Sequence, residues 1–260
     1  MRLSLVTACL NARATIGEAL ASVRGQTRPP LEHIVVDGAS TDGTLEVLER
    51  HRAGLRLVSE PDAGLYHAMN KGLALAAGDY VGFLNADDLY SEAGVLERVA
   101  KALAGGADAV YGDLVYVRRE DTRRVVRYWR SRPYAGGLIE RGWMPPHPAF
   151  FVRTAILRKL GGFDTRYRFQ ADFELMVRLF LKERIVSVHV PHVLVRMRLG
   201  GHSNRSAGNI LRGNLEARRA CRENGVTVSP FFVLRKILSR LPQFFARPPH
   251  WAPPPDWPPP

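Results

Sequence analysis

The chain has 260 residues, of which 46% are hydrophobic and 24% charged, a balance that excludes wholesale disorder and supplies a sizeable buried core. Lys and Arg number 37 against 25 Asp and Glu, a net charge of +12, so an anionic partner is expected: nucleic acid, an acidic membrane surface or a phosphorylated small molecule. Cys9 and Cys221 are too few for a disulfide framework and fit a reducing compartment.

Residues 3–8 read as a first buried strand and not as a secretion signal, because Ser4 and Thr7 interrupt the apolar run and no small-residue cleavage site follows. Thr15-x-x-Glu18 has capping-box spacing and opens a helix with Ile16, Leu20 and Val23 on one face. Residues 33–37 form a second strand signal ending in Asp37, and Asp42-Gly43-Thr44 starts a second helix. A strand over 55–59, a helix over 64–77 packing through Leu65, Ala68, Met69, Leu73 and Ala76, and a strand over 80–84 follow. The apolar stretch 73–84 is broken by Gly78 and Asp79 and falls short of the roughly 18 residues needed to cross a bilayer. Near-continuously apolar strands joined by helical crossovers imply an α/β fold with a mostly parallel central sheet covered on both faces. Ligands of such sheets lie at the carboxyl ends of the strands, where Asp37, Glu60 and Asn85-Ala-Asp-Asp88 all fall.

Further along, a helix is expected over 95–103, and the Arg-rich segment 109–129 reads as a basic hairpin or an edge strand solubilised by its arginines. A strand at 150–152, helices over 155–160 and 172–181, and a strand over 185–190 complete the core. Residues 209–224 look helical. In 231–247 apolar anchors such as Phe231, Leu234 and Phe245 interleave with Arg235, Lys236, Arg240 and Arg247, a composition suited to an anionic membrane interface or to packing on the core. The proline-rich stretch 248–260 is expected to be extended or disordered.

Gly38-Ala-Ser-Thr-Asp-Gly43 has the glycine spacing of a P-loop, but Thr44-Leu45 stands where Lys-Ser/Thr is required. No Gly-x-Gly-x-x-Gly turn follows the first strand, which argues against a dinucleotide-binding oxidoreductase. Asp37 could accept from the N3–H edge of a uracil base or cap the next helix. Asp87 and Asp88, adjacent carboxylates at the end of a hydrophobic strand, require a compensating cation or donors; oxygen ligands favour Mg or Mn, and the competing reading is an N-cap. Asp172 stands either at a helix N-cap or as a base, and His202, in a Gly-rich loop, either reaches a metal or pyrophosphate or is merely solvated.

Val6-Thr-Ala-Cys-Leu-Asn11, Val35-Val-Asp-Gly-Ala-Ser-Thr-Asp-Gly-Thr44, Glu60-Pro-Asp-x-Gly64, Asn70-Lys-Gly72 and Phe83-Leu-Asn-Ala-Asp-Asp88 resemble, in this order, the signature of family-two glycosyltransferases. His147-Pro148, Gly161-Gly-Phe-Asp164, Ala171-Asp172 and Gly200-Gly-His-Ser203 extend the resemblance more weakly. The resemblance implies a GT-A fold, a nucleotide-diphosphate-sugar donor, Mn or Mg, and transfer with inversion at the anomeric carbon. It places Thr7, Asn11, Asp37, Ser40, Glu60 and Gly64, with Asn70, Lys71, Asn85 and Asp87, on the nucleotide-sugar. It places the metal on Asp87, Asp88 and His202, and makes Asp172 the base. Asn85 stands where many relatives carry an acid, and His67 where close relatives often carry Asp.

The expectation is therefore a catalytic domain over 1–205, a basic amphipathic extension over 206–247 and a proline-rich tail. The enzyme would sit on the cytoplasmic side, peripheral to the plasma membrane, and serve a glycan or lipid-linked acceptor in envelope polysaccharide synthesis. The rivals are a nucleotidyltransferase, which would release pyrophosphate, a glycoside hydrolase, which needs neither nucleotide nor metal, and a basic nucleic-acid-binding protein, for which no recognised module is present. Nucleic acid is not an expected partner.

Overall fold

The computed structural model describes residues 1–200, 207–249 and 257–258. The N-terminal half alternates strand and helix: β1 (Leu3–Cys9), α1 (Ile16–Arg24), β2 (Glu32–Asp37), α2 (Thr44–Arg50), β3 (Leu55–Ser59), α3 (Leu65–Leu75) and β4 (Tyr80–Phe83). Then come β5 (Leu89–Tyr90), α4 (Val95–Leu103), β6 (Ala109–Val117), β7 (Val125–Trp129), β8 (Phe150–Arg153), α5 (Thr154–Lys159), α6 (Ala171–Val177) and β9 (Ser187–Arg198). Helices α7 (Ala207–Glu223) and α8 (Phe232–Leu238) follow.

All the strands join one sheet in the order β3-β2-β1-β4-β8-β6-β9-β5, with β7 paired to β6 outside that path. The block β3-β2-β1-β4 is parallel, as the helical crossovers require. Beyond it β8 is antiparallel to both neighbours and only the β6–β9 pair is parallel, so the sheet as a whole is mixed. The period of two along β1 separates the faces: Val6 and Ala8 face the cluster formed with α3, α6 and α7. Leu3 and Leu5 face α4, and Cys9 faces α1 and α2.

Several expectations are corrected by packing. Thr15 makes no side-chain cap; its hydroxyl donates to Ala12 O at 3.4 Å, and Glu18 pairs with Arg198 at 2.7 Å, so no capping box forms. Leu65 is 48% exposed, outside the packing face of α3. The basic hairpin exists, but β6 is buried along its whole length, and Arg127 does not solubilise an edge. Its guanidinium lies 4.7 Å over Tyr116 and 5.3 Å over Phe244 and donates to Gln243, tying β7 to the C-terminal extension. Strand β9 runs eight residues past the expected end, to Arg198. It crosses Pro191 with a register irregularity opposite Tyr111–Asp113, because proline offers no N–H to the ladder. After Val177 the expected long helix widens into a π-helical turn over Arg178–Lys182.

Helices α7 and α8 do not stand apart from the core beneath the sheet. Ala217, Ala220, Cys221 and Phe232 belong to the same buried cluster as α3 and α6. Within residues 231–245, Phe231, Leu234, Ile237, Leu238, Leu241, Phe244 and Phe245 are exposed by 42% to 85%. The two readings of this segment, packing and an outward apolar surface, are thus divided between its two faces. Trp257 donates from its indole to Tyr90 O at 2.8 Å.

Candidate active site

The parallel block ends in a row of polar side chains. Register places Cys9 of β1 beside Asp37 of β2, and Asp37 beside Ser59 of β3. Asp37 is completely buried, which for a carboxylate is tolerable only with several donors. Ser40 supplies its backbone N–H at 3.0 Å and its hydroxyl at 2.5 Å, Ser59 its hydroxyl at 2.7 Å and Cys9 its thiol at 3.6 Å. Burial and the Asp37 charge push the Cys9 thiol up, so it stays protonated. Asn11, with φ of 51°, locks the neighbouring loop: its N–H donates to Ser40 Oγ at 2.8 Å and its Oδ1 accepts from Thr41 N at 3.0 Å. Asn11 and Ser40 therefore shape the Asp37 pocket.

After β4, Asn85, Asp87 and Asp88 occupy the next loop. Asp88 is completely buried; Asn85 donates to its Oδ2 at 2.8 Å, while Oδ1 has no hydrogen-bond partner among the described residues. Burial, and then the charge of Asp87, hold the Asp88 carboxyl well above the usual carboxylate range, against the pull of Asn85 and Arg198. Arg198, at the end of β9, fixes this loop by donating to Asp87 O at 2.8 Å, to Arg119 O at 3.2 Å and to Glu18 at 2.7 Å. A buried carboxylate with an orphaned oxygen beside a second carboxylate suits a hard divalent cation. The described residues contain no group of three His, Cys, Asp or Glu placed to hold a metal, and His202 lies outside the described residues.

Asp172 stands in the first turn of α6, half-buried. Its Oδ1 accepts from Phe173 N at 2.8 Å, with the Tyr66 hydroxyl at 3.5 Å. Burial raises the phenol of Tyr116, on β6, against the pull of Arg127 and Arg240, and the charges of Asp88 and Asp172 add smaller rises. His147 also senses Asp172, but burial among Phe83 and Phe163 dominates and lowers its pKa. Neither of its ring nitrogens has a hydrogen-bond partner among the described residues.

Other expected donor contacts have partners within the fold. Thr7 is fully buried and its hydroxyl meets His33 Nε2 at 2.9 Å, so it ties β1 to β2 inside the sheet. Asn70 clamps a remote turn, donating to Phe163 O and accepting from Phe163 N, both at 2.8 Å. Lys71 pairs with Glu60 at 2.7 Å and with Asp62 at 2.6 Å, so its cation is already compensated. Gly64 precedes α3 with φ of 142°, a conformation that favours glycine although the space around it is open. A polar cleft of about 430 Å³ between Gly162, Arg178 and Glu223 contains neither Asp37 nor Asp88; its Arg178 is engaged with Glu174, Leu160 O and Gly162 O. Ser59, Tyr66, Asp62 and Arg198 were not anticipated. Ser59 had a signal in its position as the last residue of the strand beside Asp37, and Asp62 in its place within the Glu60-Pro-Asp-x-Gly64 motif.

A parallel block with its acidic edge, joined to a mixed second half, defines the GT-A glycosyltransferase fold. The model of the family described as Glycosyl transferase family 2 matches residues 4–163, and the chain belongs to this family. It is a glycosyltransferase. A PGL/p-HBAD biosynthesis glycosyltransferase of Mycobacterium bovis (strain BCG / Pasteur 1173P2) is 34% identical over 209 residues, 77% of this chain and 78% of the relative. The putative glycosyltransferase EpsE of Bacillus subtilis (strain 168) is 25% identical, over 92% of this chain and 88% of its own. Two solved structures share the fold. S. aureus TarS 1-349 in complex with UDP-GlcNAc superposes with a TM-score of 0.66 at 18% identity, over 94% of this chain and 73% of that one. The mannosyltransferase PcManGT of Pyrobaculum calidifontis, in complex with GDP-Man and Mn2+, gives 0.65 at 23% identity, over 92% and 69%.

Proposed function

We propose that the chain transfers a sugar, with inversion, from a nucleoside-diphosphate-sugar, a UDP-sugar in the first instance, to a glycan or lipid-linked acceptor. The observation that carries this reading is the convergence on one sheet edge of a donor-lined carboxylate, Asp37, and a carboxylate pair with an orphaned oxygen, Asp87 and Asp88. The Asp37 carboxylate offers an acceptor to an imide N–H of a base. Asp87 and Asp88 would hold Mn or Mg, which when bound supplies positive charge to the leaving diphosphate. Among the solved neighbours, UDP-GlcNAc on TarS and GDP-Man with Mn2+ on PcManGT support a donor and a metal of these classes.

In this mechanism Asp172 takes the proton from the acceptor hydroxyl. The acceptor oxygen then forms a bond to the anomeric carbon from the face opposite the leaving group. The bond from that carbon to the diphosphate breaks, and its electron pair leaves with the nucleoside diphosphate. The Phe173 N–H on Oδ1 orients the carboxylate in the first turn of α6.

Among the described residues no helix is long and apolar enough to cross a membrane. The outward apolar face of 231–245 beside Arg235, Arg240 and Arg247 supports docking on an anionic membrane surface from the cytoplasmic side, where a lipid-linked acceptor would lie.

The test combines a thermal-shift series of UDP-, GDP- and dTDP-sugars, with and without Mn, and two variants. A ligand at 100 times its Kd adds about 2.7 kcal/mol of stability, and the expected stabilisation requires both nucleotide and metal. Asp88→Asn and Asp172→Asn are expected to keep the fold and lose at least about 100-fold in transfer. Full transfer by both variants would overturn the assignment.

A further inference from the structure

Lys236, on α8, is 1% exposed. Its stem runs over Gly142, where a φ of 83° and a notional Cβ only 2.8 Å from Lys236 Cβ both call for glycine. The ammonium ends 4.4 Å over the Phe173 ring and donates to Gln170 Oε1 at 2.7 Å. An ammonium removed from water is costly unless the protein solvates it, and among the described residues this one is solvated by the Gln170 amide oxygen and the Phe173 ring face. Asp172 from α6 and Cys221 from α7 favour its charge and Arg240, just past α8, opposes it, while Glu140 acts on Cys221 from the turn before Gly142. Burial outweighs all of these and brings the Lys236 pKa down to about 7.

The partner of Lys236 is the residue that starts the catalytic helix. Gln170 O accepts the N–H of Glu174 at 2.9 Å. The N–H groups of Arg168, Phe169 and Gln170 all donate to Glu216 of α7, at 3.2, 2.8 and 3.0 Å. The extension therefore grips both the backbone and the side chain of the segment that leads into Asp172, by Glu216 from α7 and Lys236 from α8. The same α8 carries Leu234, Ile237 and Leu238 on its exposed side.

We infer that Lys236 is a positioning residue for sugar transfer: by holding Gln170 from the C-terminal extension it fixes the first turn of α6 and thereby the carboxylate of Asp172. This inference rests on Asp172 acting as the base. It gives the extension a part in the transfer step that a simple membrane anchor would not have.

The experiment uses the full chain, the donor that stabilises it in the thermal-shift series, and a membrane lipid extract as acceptor. Transfer is read as release of that donor's nucleoside diphosphate, with active sites counted by calorimetric titration with the same nucleoside diphosphate so that a loss of folded protein is not scored as a loss of rate. Lys236→Met is expected to lower kcat per nucleotide-binding site at least tenfold with donor KM within twofold of native, and to remove an inflection near pH 7 from the kcat profile. Gln170→Glu gives the ammonium an anionic partner and is expected to move that inflection upward by a pH unit or more; it serves also where Lys236→Met does not fold. Native kcat per site and a native pH profile in Lys236→Met, or an unmoved inflection in Gln170→Glu, would overturn the inference. An inactive Asp172→Asn beside a native-like Lys236→Met overturns this inference alone, whereas a fully active Asp172→Asn removes the base and the inference together.

Discussion

Replacing Asp37 by Asn tests the row Cys9–Asp37–Ser59 with the smallest change of shape. Three N–H and O–H donors converge on this carboxylate, two of them on Oδ2, and one of those two is the Ser40 backbone N–H, which cannot reverse. The Asn amide nitrogen must therefore take the Oδ1 position, against the Ser40 hydroxyl and the Cys9 thiol. Hydrogen bonds to a charged group contribute about 1.5–3 kcal/mol and neutral ones about 0.5–1.5, so three of them lose about 3 kcal/mol together. For a chain of this size that is a fall in Tm of about 6–12 °C. If the carboxylate also receives the imide N–H of uracil, UDP binding weakens by about 10- to 100-fold. Scanning calorimetry reads the first quantity and titration calorimetry with UDP and Mn the second. Ser59→Ala, which keeps the carboxylate and loses one donor, should cost about 1 kcal/mol and leave UDP affinity within threefold. A lowered Tm with native UDP affinity in Asp37→Asn would refute the base contact, and an unchanged Tm would refute the structural account.

His33 gives a pH prediction. Burial brings its pKa from 6.5 to about 4, so the unfolded chain binds the extra proton first and stability falls as pH drops from about 6.5 toward 4. Between pH 6.5 and 4.5 the loss from this group is about 2 kcal/mol, and His33→Gln should show a correspondingly shallower decline in urea-derived stability; equal declines in the two proteins would remove the explanation. The outward face of the extension is tested with vesicles. Serine at Leu234, Ile237 and Phe245, exposed by 52%, 42% and 85%, should weaken cosedimentation with phosphatidylserine vesicles about 100-fold, at about 1 kcal/mol each, with neutral vesicles binding poorly throughout. Native binding by the triple variant would exclude this surface as the contact.

Much of the N-terminal half could be read from periodicity alone. Short apolar runs that end in Asp37 and Asn85, each followed by an amphipathic helix, admit few arrangements other than a parallel block with its acids at one edge. The second half was less legible because its elements depend on distant partners. Residues 191–198 contain a proline and three basic or polar positions, yet they form a strand because β6 provides a ladder and because Arg196 and Arg198 find buried carbonyls, Ser91 O and Asp87 O, more than 100 positions away. Thr7 and Asn70 belong to motif segments, but a motif position does not state which way a side chain turns. His33 and Phe163 claimed them.

By itself the sequence determined the order of strands and helices in the N-terminal half, the family, and the acidic character of the sheet edge, since these follow from local patterning and from motif order. Only the tertiary structure decided which carboxylates are compensated. Asp37 is satisfied by Ser40, Ser59 and Cys9, while Asp88 keeps an orphaned oxygen, a difference set by the strand register and the Asn85 loop. The +12 charge was likewise resolved by contacts that composition does not contain. Arg127, Arg198 and Lys236 are spent inside the fold on rings, carbonyls and Gln170, because a long cationic side chain goes wherever packing and a partner jointly offset its desolvation.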